Sequence, residues 1–98
     1  MKHVSTQLNK AFDHRIRLGI MSILMVNDWV DFTTLKELLD LTDGNLASHL
    51  KALESEQYME TRKQFIGRKP NTSYAATKIG RQAFTEHLNV LEKLLRSG

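Results

Sequence analysis

Residues 34–56 set two short helical patterns on either side of a break, and this spacing constrains the fold more than any other feature of the chain. Leu35, Leu38 and Leu39 give the first pattern, over about 34–40, an inward face. Leu41-Thr42-Asp43-Gly44 then interrupts it. Leu46, Leu50 and Leu53 follow at i, i+4 and i+7, one narrow apolar stripe on a helix over about 44–56. Thr33 is the expected N-cap of the first helix, with its hydroxyl accepting an orphan N–H and Glu37 in the first turn, and Asp43 is expected to cap the second. A helix with so thin a stripe docks by one side and leaves the others to solvent. Two such helices around a tight break form a helix-turn-helix.

The flanking segments fit around that unit. Over about 7–26, Phe12, Ile16, Ile20, Ile23 and Leu24 recur at helical spacing, and Asn27-Asp28 closes the helix. Trp29-Val30-Asp31-Phe32 is rich in strand formers and predicts a brief edge strand. Downstream, 58–65 and 72–77 carry the strand-favouring Met59, Thr61, Phe65, Tyr74 and Thr77, while Gly67-Arg68-Lys69-Pro70-Asn71 between them is turn chemistry. After a further cap at Thr77, residues 78–96 return to helical periodicity, with Phe84, Leu88, Leu91 and Leu95 spaced +4, +3, +4. No repeat or low-complexity segment is present. The fold class is therefore mainly α with a small β-hairpin, in one domain over 1–98, because a chain this short cannot divide its core.

Charge is unevenly divided. Residues 1–60 hold six Lys or Arg against nine Asp or Glu, whereas 61–98 hold eight against two. Within 61–81 stand Arg62, Lys63, Arg68, Lys69, Lys78 and Arg81 with no acidic residue, and Gly67 and Pro70 lie at the middle. A basic hairpin of this kind suits a polyanion, most commonly nucleic acid, where Lys and Arg replace condensed counterions. Charge alone leaves open a solvated hairpin that merely keeps the chain soluble. The outward face of the 44–56 helix separates the two. With the leucines inward, Gly44, Ser48, Lys51 and Ser55 lie opposite, flanked by Asn45, Ala47, His49 and Ala52. These are small or hydrogen-bonding groups, none acidic before Glu54, as a helix entering a major groove requires. A solvated amphipathic helix would instead mix Glu and Lys there.

A helix-turn-helix (about 34–56), a basic hairpin (about 58–77) and a final helix (about 78–96) in this order make a winged helix-turn-helix. Two motifs tie the chain to known proteins. Asn45-Leu46-Ala47-Ser48-His49-Leu50-Lys51-Ala52-Leu53-Glu54 matches a recognition-helix pattern of Ser, a polar residue, Leu and a second Leu three further on. Tyr74-x-x-Thr77-x-x-Gly80 matches the junction between wing and last helix. From about residue 8 to 95 the chain resembles the small winged-helix transcriptional regulators of the MarR, ArsR and PadR type, and especially the short stand-alone winged helix DNA-binding domain family. The resemblance implies that Asn45, Ser48 and His49 meet base edges and nearby phosphates at the start of the recognition helix, and that Lys51 reaches a phosphate. It implies further that Arg68, Lys69 and Asn71 act at the wing tip and that Arg62 and Lys63 lead to it. Thr34 would present backbone N–H groups to a phosphate from the start of the second helix. Arg62 and Lys63 point to opposite sides of a strand, so one of them faces DNA. His49 has an alternative, packing beside its helix.

Catalysis and metal binding are not expected. His3, His14, His49 and His87 are scattered, cysteine is absent, and there is no Gly-rich phosphate loop or nucleophile elbow around Ser22, Ser48 or Ser97. No cofactor is implied. Lack of cysteine excludes a disulfide framework, the N-terminus lacks the apolar core of a signal peptide, and the longest apolar-rich run, 18–26, is too short for a bilayer, so a cytoplasmic setting is expected. The last helix carries Val90, Leu94 and His87 beside its first seam, wider than docking on one small core requires. A homodimer through this C-terminal helix is expected, its interface drawn from Leu8, Phe12, Phe84, His87, Leu88, Val90, Leu91, Leu94 and Leu95. The function read from the sequence is a homodimeric, sequence-specific regulator on a pseudo-palindromic double-stranded DNA operator. Its effector, if it has one, is not legible. The alternative is a winged helix used as a protein-interaction module, against which the wing charge argues. Non-specific chromosome packaging is a third reading, opposed by the base-reading groups on the 44–56 helix.

Overall fold

A computed structural model describes residues 8–96. Its elements run from a short 3-10 turn (Lys10–Phe12) through α1 (Arg15–Met25), β1 (Val30–Asp31), α2 (Phe32–Leu39) and α3 (Asp43–Ser55). β2 (Met59–Ile66), β3 (Lys69–Ala76) and α4 (Lys78–Arg96) complete it. The sheet is antiparallel in the order β1-β3-β2, with Val30 opposite Tyr74, Thr61 opposite Tyr74 and Ile66 opposite Lys69. Winged helix-turn-helix architecture is thus present, with the expected edge strand at Val30–Asp31.

The first helix differs from its expected 7–26 span. Residue 7 lies outside the described residues, and the remainder is broken at Asp13-His14. Asn9 and His14 each act as a cap: Asn9 Oδ1 accepts from the Ala11 N–H at 2.9 Å and His14 Nδ1 from the Ile16 N–H at 3.1 Å. Side chains that satisfy the backbone locally end one helical turn and start the next. The break turns Phe12 into the core, where its ring lies 5.3 Å from Tyr58, 5.1 Å from Phe84 and 5.3 Å from His87. Ile20, Met21 and Leu24 of α1 are fully buried against Leu35, Leu46 and Leu53.

Two caps shift by a residue or more. Asp31, not Thr33, caps α2, and Thr42, not Asp43, caps α3, accepting from the Thr34 and Asn45 N–H groups at 2.8 and 3.2 Å. Glu37 accordingly falls outside the first turn of α2. Leu38, expected inward, is exposed, since Leu35 and Leu39 already occupy the side of α2 that meets the core. The break between the helices is made at Asp40, which takes the left-handed conformation (φ 52°) and lets the Leu41 N–H return to the Lys36 carbonyl. The wing turn is also tighter than expected. Only Gly67 and Arg68 separate the strands, with Gly67 at the positive φ of 66° that this type of two-residue turn needs at its first position.

The ends of α3, β2, β3 and the start of α4 meet at one point. The Thr77 N–H donates to the Tyr58 carbonyl (3.1 Å), the Thr77 hydroxyl donates to the Gln57 carbonyl (2.7 Å), and the Gly80 N–H donates to the Thr77 hydroxyl oxygen (2.9 Å). A Cβ at Gly80 would stand 2.0 Å from the Tyr58 carbonyl oxygen. Gly80→Ala should therefore lose about 1–3 kcal/mol of stability or more, read as a fall in the urea midpoint at unchanged slope. Gly44→Ala is the control, because nothing lies within 4 Å of a Cβ there, and its midpoint should not fall.

Candidate nucleic-acid interface

With Leu46, Leu50 and Leu53 buried, α3 exposes Asn45, Ala47, Ser48 and Lys51. Along its wing side runs a groove of about 490 Å³ lined by Ala47, Leu50, Lys51, Glu54, Met59, Thr61, Lys63, Thr72 and Tyr74. Thr61 anchors β2 to α3 by donating its hydroxyl to Glu54 at 2.5 Å. Lys51 and Lys63 thus reach the same groove from helix and strand, and their charges add on one side of the molecule.

Alternation along β2 sends Arg62 to the other side of the sheet. Its guanidinium carbon lies 4.2 Å from the centre of the Trp29 ring, a cation–π interaction that holds the wing base to the segment before β1. Of the two neighbours, Lys63 is the one on the α3 side. Asn71, opposite Gln64, also lies away from α3. It accepts from the Ser73 hydroxyl at 3.0 Å and donates to Asp31 Oδ2 at 3.5 Å, and so ties β3 to the α2 cap. Thr34 does not present a free N–H at the start of α2. That group donates to Asp31, whose carboxyl is held below the usual carboxylate range by the Thr34 hydroxyl and N–H. Arg68 occupies the turn and Lys69 opens β3, both exposed.

His49 is half-buried on the α1 flank of α3, its ring centre 4.3 Å from that of His14. Burial first, then the neighbouring charges of His14 and Arg17, pushes its pKa below the ordinary imidazole value. Packing beside the helix, the alternative that the sequence left open for this residue, is the arrangement found.

Arg81 has a structural role that sequence reasoning missed by counting it with the wing charges. Its guanidinium donates to the carbonyls of Met25 (3.0 Å), Leu24 (3.2 Å) and Asn27 (3.4 Å). These are the last carbonyls of α1 and its exit, where a fork of donors and a positive charge are both favoured. The one available signal was the absence of any basic residue in the last turn of α1.

The residues expected at the dimer interface divide. Phe12, Phe84 and His87 belong to the chain's own packing, as their ring stacking shows, and Val90 is buried as well. Leu8, Leu91 and Leu94 are half-buried, while Leu88 and Leu95 are exposed by 44% and 85%. His3 and Ser97 lie outside the described residues. Among the described residues no three His, Cys, Asp or Glu side chains gather to hold a metal ion, and no helix is long and apolar enough to cross a membrane.

A helix-turn-helix that exposes small and hydrogen-bonding groups, flanked by a basic hairpin, defines a winged-helix DNA-binding domain. Residues 16–95 match the family described as winged helix DNA-binding domain, and the chain belongs to that family. It is 36% identical over 88 residues to an uncharacterized protein of Methanocaldococcus jannaschii, spanning 90% of this chain and 96% of that one. A transcriptional regulator homologue protein from Pyrococcus horikoshii has a similar structure, with a TM-score of 0.89 at 28% identity over 99% of this chain and 97% of that one. HlyU from Vibrio cholerae shares the fold at a TM-score of 0.67 and 22% identity, over 95% and 92% of the two chains.

Two histidines with lowered pKa values predict that acid destabilises the domain. His87 Nδ1 accepts from the Asn9 N–H at 3.1 Å, as only an unprotonated nitrogen can, and burial lowers its pKa despite the opposing charge of Asp13. His49 is shifted the same way. A base whose folded pKa is depressed contributes stability that is complete above its unfolded pKa, about 6.5, and is lost as pH falls from there toward the folded value. Urea midpoints should therefore drop between about pH 7 and pH 5. The double variant His49→Gln, His87→Gln should drop less over the same interval.

Proposed function

We propose that this protein is a transcriptional regulator that binds specific double-stranded DNA sites as a homodimer. The observation that favours it most is that the exposed groups of α3 and the lysines of the groove share one side of the molecule. In this reading α3 enters the major groove, Asn45 and Ser48 meet base edges, and Lys51 and Lys63 meet phosphates on either side. Arg68 and Lys69 carry the binding surface outward along the wing, and His49 supports the flank of α3 through His14. Small groups at Gly44 and Ala47 let the helix backbone approach the bases.

Asn45→Ala or Ser48→Ala should reduce discrimination among sites, by roughly 1–3 kcal/mol for each hydrogen bond to a base edge that the substitution removes. Arg68→Ala with Lys69→Ala should weaken all sequences alike and flatten the dependence of log affinity on log salt by about one unit for each phosphate no longer neutralised. Titrations of each variant against selected and scrambled duplexes at several salt concentrations separate the two. Equal loss of specificity from both pairs would assign sequence reading to the wing.

The dimer in this proposal forms along α4, which is about 28 Å long at 1.5 Å per residue. Gly80, Phe84, His87 and Val90 face the body of the chain, and Leu88 and Leu95 stand exposed at the edge of that apolar stripe with Leu91 half-buried between them. A second copy would cover this edge and set two recognition helices about 34 Å apart, matching half-sites one helical turn apart. Leu88→Glu combined with Leu95→Glu should leave a folded monomer that binds DNA far more weakly. Sedimentation equilibrium on the unmutated protein and the variant decides this. An unmutated monomer, or a variant with unchanged affinity, would remove the dimer from the reading.

A further inference from the structure

The wing ends in apolar side chains that the fold does not use. Phe65 and Ile66 are 74% and 59% exposed, and Pro70, directly across from Phe65, is exposed as well. Single exposed apolar residues are ordinary, but Phe65 with Pro70 on one face of a hairpin tip and Ile66 on the other are not explained by packing, since the nearest core side chain of β2 is Met59. Of the two turn residues, Gly67 meets the demand of a tight hairpin turn, and nothing in that demand calls for the aromatic Phe65 or the branched Ile66 beside it. By alternation Phe65 continues the side of β2 that carries Met59, Thr61 and Lys63, the side on which α3 stands. It lies four residues beyond Thr61, the last point of β2 hydrogen-bonded to α3, and so about 13 Å farther out.

The charge around the tip selects its occupant. Lys63, Arg68 and Lys69 surround the apolar group, and no acidic residue occurs anywhere from 61 to 81. A second positive wing tip would be repelled, whereas a polyanion with stacked apolar faces satisfies both the charges and the rings. We propose that the wing tip is an apolar wedge: Phe65, with its cross-strand partner Pro70 beside it on the same face and Ile66 on the other, inserts at a base step in the minor groove beside the site read by α3, and bends the duplex. Lys63, Arg68 and Lys69 hold the flanking phosphates while the ring replaces part of the stacking it disrupts. Phe, Ile and Pro are side chains that open base steps in this way, with bends of about 20–90° toward the major groove. The minor groove adjoining a major-groove site lies about half a 34 Å turn along the duplex, the direction in which the hairpin projects about 13 Å beyond its anchor to α3. This inference rests on the DNA-binding reading above and adds a deformation of the DNA to it.

The test uses duplexes that the full chain recovers from a random-sequence pool. They are labelled with a donor and acceptor dye at the two ends and, separately, with 2-aminopurine at successive steps flanking the α3 site. The unmutated protein should shorten the end-to-end distance and raise 2-aminopurine fluorescence at one step on each side. Phe65→Ala with Ile66→Ala, both at exposed positions, should keep the unmutated melting temperature and salt slope, bind about tenfold more weakly, and lose both signals. Arg68→Ala with Lys69→Ala should flatten the salt slope and, at saturating protein, retain the fluorescence rise. Recovery of no duplex by the unmutated chain would overturn the DNA-binding reading and the wedge together. Recovery with a straight, fully stacked duplex, or bending that survives Phe65→Ala with Ile66→Ala, overturns the wedge alone. A change of oligomeric state in that variant would assign the tip to a second copy of the chain and likewise overturn it.

Discussion

The junction at Thr77 and Gly80 is the constraint on which the rest of the molecule depends. Three hydrogen bonds there join the exit of α3, the ends of the two wing strands and the first turn of α4. The backbone of Gly80 lies so close to the Tyr58 carbonyl that no side chain fits between them. Gln57 enters the same corner in the left-handed conformation, φ 63°, and turns the chain from α3 into β2 over the three residues between them. Because the recognition helix and the wing leave this corner together, their relative angle is set by backbone packing rather than by flexible side chains. A surface that must match a rigid duplex benefits from that, since an error of an ångström at the base of a long hairpin grows toward its tip.

The sheet then sorts the basic residues. Six positive side chains between 61 and 81 form one group in the sequence and four in the structure. Lys63 belongs to the α3 side, and Arg68 and Lys69 lie beyond it at the wing tip. Arg62 lies over Trp29 on the opposite side, and Arg81 closes the carbonyl end of α1. Lys78 is exposed at the start of α4. Charge that looks like a single polyanion-binding segment therefore does three jobs, two of them within the chain. Arginine serves both internal ones because its planar fork stacks on a ring or spans several carbonyls, which a lysine ammonium does not do.

Much of the helical framework was legible because apolar periodicity is a local signal. Leu46, Leu50 and Leu53 sit where the i, i+4, i+7 pattern puts them, and α4 has the predicted bounds. Caps were less legible, since several Thr and Asp residues compete at each helix start. Asp31 prevailed over Thr33 because it lies at the end of β1 with an extended backbone, φ −80° and ψ 164°. The break at Asp13-His14 was hidden because Phe12 keeps helical spacing with Ile16 even though the chain leaves the helix at those two residues.

The sequence by itself determined the order of elements, the buried leucine stripes, the basic character of the hairpin and the small, hydrogen-bonding surface of α3, all properties of residues a few positions apart. Only the tertiary structure decided which basic groups face outward with α3, that His87 and Phe84 complete the chain's own core, and that Asn71 and Arg81 bind the fold together. Those outcomes depend on partners far along the chain: Asn9 lies 78 residues from His87, and Met25 lies 56 from Arg81. Periodicity reports which side of an element is apolar. It carries no information about which distant polar group will need a partner once that side is buried, and burial is what makes leaving such a group unpaired costly.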